Sequence, residues 1–122
     1  MTTENLITIE HYKDIISILI DEKYIEDFYS LFKKRENVSI TNNYVELQFM
    51  FAEKSEITIN NSHIVISIDE KSFYTIQELL KYYIDSDRNF PLDISLEQLT
   101  FSIRPTEIVD VVFECGRFIA QN

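Results

Sequence analysis

Apolar positions recur along this chain with two spacings, and the switches between them divide it into segments. Tyr12, Ile15, Ile16 and Leu19 stand at i, i+3, i+4 and i+7, the spacing of one face of an α-helix. Thr8 occupies the N-cap position, with Ile7 and Tyr12 as the flanking hydrophobic pair. Asp21 and Glu22 interrupt this helix, and Tyr24, Ile25, Phe28, Leu31 and Phe32 resume its period. Lys33, Lys34 and Arg35 close it, cations placed where a helix C-terminus favours them. From Val38 the period falls to two. Val45, Leu47, Phe49 and Phe51 alternate with Tyr44, Glu46, Gln48 and Met50. Ile57 and Ile59 alternate with Thr58 and Asn60, and Ile64, Ile66 and Ile68 with Val65, Ser67 and Asp69. Half-buried strands read this way. Asn42-Asn43 and Asn60-Asn61 punctuate the runs. Asn tolerates positive φ better than most residues with a β-carbon, so it turns hairpins where glycine is scarce.

The helical spacing then returns. Thr75-Ile76-Gln77-Glu78 is a capping box with Tyr74 and Leu79 as its hydrophobic pair. It predicts a helix from about Ile76 to Asp85 with Ile76, Leu79, Leu80 and Tyr83 inward. Asp85 to Asn89 is a polar loop that Pro91 keeps extended. Ser95-Leu96-Glu97-Gln98 is a second capping box, yet Leu99, Phe101 and Ile103 alternate like a strand, so residues 96–103 stay open between the two. Thr106 caps a last helix with an apolar stripe of Ile108, Val111, Val112, Cys115, Phe118 and Ile119. Gly116 permits close packing there, and Glu107, Asp110 and Glu114 lie opposite. The expected fold is α+β, one domain over residues 1–122. An antiparallel β-meander of about four strands packs against N-terminal, middle and C-terminal helices.

Composition narrows the class. Hydrophobic residues make up 45% of the 122, so the chain can bury a core and does not have the low hydrophobicity of disordered segments. The single cysteine, Cys115, excludes an intrachain disulfide and reads as a small core residue. The start, MTTENLITIE, has neither the basic nor the apolar region of a signal peptide. The stretch Ile15–Ile20 is too short to span a bilayer. A cytoplasmic protein without membrane contact is expected.

Candidate chemistry is sparse. His11 and His63 lie on different elements with no second ligand at metal spacing, so no metal or cofactor is expected. One glycine leaves no phosphate-cradling loop of the usual sort. A Cys115/His63 nucleophilic pair would require the fold to bring them together. No catalytic residue is assigned, and the chain is read as not an enzyme.

Charge changes the picture most. Asp and Glu number 21 against 11 Lys and Arg, a net −10. Residues 4–32 hold seven acids and two bases, and residues 85–114 the same. Net charge sets the sign of a partner and the speed of encounter. Tyrosines stand among these acids, and tyrosine is enriched at binding hot spots. The expected contact residues are Asp21, Glu22, Tyr24, Glu26, Asp27, Tyr83, Asp85 and Asp87.

Small size, acidity, Ile- and Asn-rich usage and the lack of catalytic residues resemble bacterial immunity proteins, including those of contact-dependent growth inhibition systems. The resemblance covers the whole chain and rests on no motif, so no residue role carries over by matching. It implies an antitoxin that binds a basic toxin domain, in the usual case a nuclease, through charge and shape complementarity. It further implies a protein–protein contact in a 1:1 complex rather than a homodimer, with no direct nucleic-acid binding. The alternatives are an acidic secretion chaperone, a mimic of nucleic acid and a small hydrolase. Class I type III chaperones share the order helix, strands, helix, strand, helix, and bind an extended client as dimers.

Overall fold

Alternation, and not helical periodicity, governs the first segment. The computed structural model describes residues 7–41, 45–86 and 90–115. Six of the fourteen residues from 7 to 20 are isoleucine. Isoleucine loses χ1 freedom on a helix and packs well on a pleated surface. The segment accordingly forms a hairpin of β1 (Ile7–Tyr12) and β2 (Ile15–Ile20), with Ile16, Ile18 and Ile20 buried. Lys13 makes its turn at φ 56. The expected N-terminal helix is therefore corrected to its second half alone, α1 (Ile25–Lys33), which buries Ile25, Phe28 and Phe32.

The middle of the chain supplies β3 (Val38–Thr41), β4 (Glu46–Phe51), β5 (Glu56–Asn60) and β6 (His63–Ile68). These are the four expected strands, but they do not form a meander. β3 and β4 are antiparallel, as are β5 and β6, with Asn61 turning the latter pair at φ 55. Between them β4 lies parallel to β6. The link 52–55 carries the chain across the end of β6, and β5 pairs on its far side. Spacing within strands sets which face is buried; it does not set strand order.

Then follow α2 (Glu70–Asp85), β7 (Leu92–Ser95), β8 (Ser102–Arg104) and β9 (Asp110–Cys115). α2 starts six residues before the expected Ile76. Its N-cap is Asp69, whose carboxylate accepts the Ser72 N–H at 2.8 Å. The Thr75 hydroxyl instead donates back to the Lys71 carbonyl at 3.1 Å, so it caps nothing. The Ser95-Leu96-Glu97-Gln98 box is spent on a turn, the Ser95 Oγ accepting the Gln98 N–H at 3.2 Å, before residues 102–104 form strand. The expected C-terminal helix is a strand over residues 110–115, with Val111, Phe113 and Cys115 buried in alternation. Four of the eight residues from 108 to 115 are β-branched, which favours that outcome. Gly116, Phe118, Ile119 and the Asn42-Asn43 turn lie outside the described residues.

Two mixed sheets result, ordered β1-β2-β9-β7 and β3-β4-β6-β5-β8. The expected antiparallel meander under three helices is thus replaced by nine strands and two helices among the described residues. The element order no longer matches that of the type III chaperones. Aromatic rings join the layers. Phe49 of β4 stacks on Phe113 of β9 at 5.9 Å, and Phe28 of α1 contacts both, at 5.7 and 6.0 Å. Phe32 extends the cluster by stacking on Phe73 of α2 at 5.1 Å. One continuous core draws on both sheets and both helices.

The Asp69 cap gives a first prediction. Asp69→Ala should destabilise the protein by about 0.5–2 kcal/mol, read from the denaturant midpoint. The Ser72 N–H holds the Asp69 carboxyl below its ordinary 3.8. The stabilisation is complete above that ordinary value and is lost as pH falls through the lower folded-state value. The Asp69→Ala variant should therefore lose less stability than the parent on acidification.

Candidate partner-binding face

β2 ends in a turn that leads into α1. The Asp21 carboxylate accepts the Lys23 N–H at 2.8 Å and its carbonyl accepts the Tyr24 N–H at 2.9 Å. This turn delivers Glu22 to the C-terminal half of α2, where its carboxylate accepts the Tyr83 hydroxyl at 3.1 Å. Segments sixty-one residues apart, each rich in acids, therefore meet. Glu26 and Asp27 are exposed in the first turn of α1, where anions suit the helix dipole. Asp85 is exposed in the last turn of α2, which carries no basic residue. An anion there opposes the dipole, at a cost of about 0.3–1 kcal/mol, so local helix stability does not account for Asp85.

Tyr24 and Tyr83 are not surface residues. Tyr24 is 5% exposed and Tyr83 is 0%. Their place among the acids marked them as contact residues, but both also fall on the inward-facing spacing of a helix, and packing took both. Burial raises the Tyr83 hydroxyl's pKa, helped by its hydrogen bonds to Cys115 and Glu22. Burial, then the charge of Asp27, raises that of Tyr24, whose hydroxyl has no hydrogen-bond partner among the described residues. Opposite results follow for two equivalent substitutions. Tyr24→Phe should stabilise the protein by about 1–3 kcal/mol, the cost of an unsatisfied buried hydroxyl. Tyr83→Phe should destabilise it by about 1.5–3 kcal/mol, the worth of a bond to a charged acceptor. Chemical denaturation of the two variants checks both signs.

The exposed aromatics are others. Tyr82 is 61% exposed and Phe90 42%, and their rings meet edge to face at 5.4 Å. Leu79, expected inward, is exposed one turn back from Tyr82. Phe90 also lies 6.4 Å from the Tyr83 ring, so the patch is continuous with the Glu22–Tyr83 junction. An apolar centre with carboxylates beside it has the anatomy of a protein interface. Phe90, standing alone beside Pro91, gave no periodic signal in the sequence. Asp87 lies outside the described residues.

Of the other acids, Asp110 serves the fold, whereas the directly opposed Asp93 and Glu114 are a like-charge pair that costs stability. Asp110 accepts the Ser95 hydroxyl at 2.6 Å and the Glu97 N–H at 3.0 Å. Asp93 and Glu114 stand directly opposite on β7 and β9. Alternation puts them on the far side of that sheet from Cys115 and α2. The nucleophilic pair is not assembled. Cys115 is buried beside Tyr83, whereas His63 bonds Glu46 at 3.0 Å and Gln48 at 3.3 Å on the other sheet. Among the described residues no group of three His, Cys, Asp or Glu is placed to hold a metal ion. None of their helices is long and apolar enough to cross a membrane. No protein-family model matches the chain, and no curated protein compared with it matches either.

Proposed function

We propose that the protein is an inhibitor of the immunity type, which captures a basic protein, in the first instance a nuclease toxin, and has no catalysis of its own. The observation that carries this is the meeting of two acidic segments at Glu22 and Tyr83, beside an exposed Tyr82–Phe90 pair. Glu26, Asp27 and Asp85 steer the partner, and Tyr82 and Phe90 supply apolar contact area. Asp21 and Glu22 hold the junction together. Opposite charge speeds the encounter, and an acidic face competes with nucleic acid for a basic groove. The complex is one to one and cytoplasmic. A growth assay tests it. Cells arrested by the captured basic protein should resume growth when this chain is co-expressed. A captured protein that is harmless on its own, or arrest that persists with both proteins bound, would refute the inhibitor reading.

A further inference from the structure

A cleft of about 350 Å³ opens at the C-terminal ends of the neighbouring parallel strands β4 and β6, where α2 begins. That is within the range of small-ligand pockets. Phe51, Ile68 and Phe73 form its floor, and Glu53, Asp69 and Glu70 bring three carboxylates to its lining. Against these stands a single lining cation, Arg35. Its guanidinium lies 4.2 Å from the centre of the Phe73 ring and 4.9 Å from that of Tyr74. It is 3.7 Å from the Glu70 carboxylate, beyond hydrogen-bond reach. A planar cation over aromatic faces with a carboxylate alongside is the set of contacts by which proteins recognise arginine. The chain thus seats a guanidinium of its own here, without a hydrogen bond to Glu70, and places the exposed Glu53 and Glu70 beside it.

We propose that this cleft is a binding site for an arginine side chain of a basic protein, which displaces Arg35 from the Phe73 and Tyr74 faces and pairs with Glu70 and Glu53. Asp69 is engaged as the α2 N-cap and feels the charge of Lys71, but the exposed Glu53 and Glu70 against one lining cation favour a cationic occupant, and the aromatic floor favours a guanidinium over an ammonium. The site does not rest on the acidic face described above. Glu70 and Tyr82 are separated by twelve residues of α2, about 18 Å at 1.5 Å per residue. Each can therefore be tested without the other.

The test is an NMR titration of the full chain at low salt with N-acetyl-arginine amide, and with the neutral N-acetyl-citrulline amide as control. Saturable shifts are expected at the backbone amides of Ala52, Glu70, Phe73 and Tyr74 with the arginine probe only. Arg35→Gly, which also suits the φ of 56 at that position, should tighten binding about two- to fivefold by freeing the aromatic faces. The double change Glu53→Gln/Glu70→Gln should abolish saturation. These two glutamates are exposed, so this variant decides the matter even where Arg35→Gly does not fold. The absence of saturable shifts at those four amides would overturn the proposal. Equal shifts with citrulline, or shifts confined to Asp21–Asp27, would do the same.

Discussion

Replacing Phe28 by alanine is expected to destabilise the protein by about 3–5 kcal/mol, as for large aromatic truncations in other cores. Against a typical total of about 5–15 kcal/mol, that leaves a marginal fold. The reason lies in its position. Phe28 is 3% exposed and contacts the rings of Phe49 and Phe113, one from each sheet. It also meets Tyr24, the N-cap residue of its helix, and Phe32 on the helix itself, at 6.5 and 6.3 Å. Its loss opens a void where α1 and both sheets meet, and no single element can shift to close it. Tyr82→Ala, by contrast, should move stability by no more than about 0.5 kcal/mol, because that ring is mostly in water. Urea unfolding of the two variants measures the difference. Equal losses would mean that α1 does not join the sheets as described.

Triple reversal of Glu26, Asp27 and Asp85 to lysine is expected to slow association with the basic partner about 10- to 1000-fold at low ionic strength, with the difference shrinking as salt rises. Asp21 and Glu22 are left out because each makes a hydrogen bond that shapes the junction, so changing them would confuse folding with binding. Asp85→Lys alone should separate the two. It removes an anion from a helix C-terminus and adds a cation there, so stability should rise by a few tenths to about 1 kcal/mol while association slows. Stopped-flow association and thermal unfolding of the same variant read the opposed effects. A stabilised variant with unchanged association rate would remove Asp85 from the interface.

What could be read in the sequence depended on whether a local pattern had one physical meaning. The stripe Ile25, Phe28 and Phe32 gave α1, and the alternation from Leu47 to Ile68 gave β4, β5 and β6 with their buried faces. The Asn60-Asn61 signal gave the β5–β6 hairpin. Tyr12, Ile15, Ile16 and Leu19 fit a helix by spacing, but the isoleucines at 7, 9, 16, 18 and 20 fit a strand by both spacing and branching, and the second fit prevailed. The same conflict decided residues 110–115 in favour of strand. The parallel pairing of β4 with β6, and of β2 with β9, is a long-range choice that no local pattern encodes. Of the candidate site, the acids were visible in the charge distribution, but their meeting through Glu22 and Tyr83 was not. Tyr24 and Tyr83 proved buried, because packing and binding favour the same residue type. Tyr82 stood among the tyrosines beside the acids, but its exposed pairing with Phe90 becomes visible only once α2 is packed.

The most direct test of the central claim is a paired capture from source-cell lysate, with the parent chain and the Glu26→Lys/Asp27→Lys/Asp85→Lys variant immobilised side by side. Retention of one basic protein by the parent, and its loss from the variant, is the predicted result. Retention of nothing basic, or of the same protein equally by both, would contradict an inhibitor that works through this acidic face.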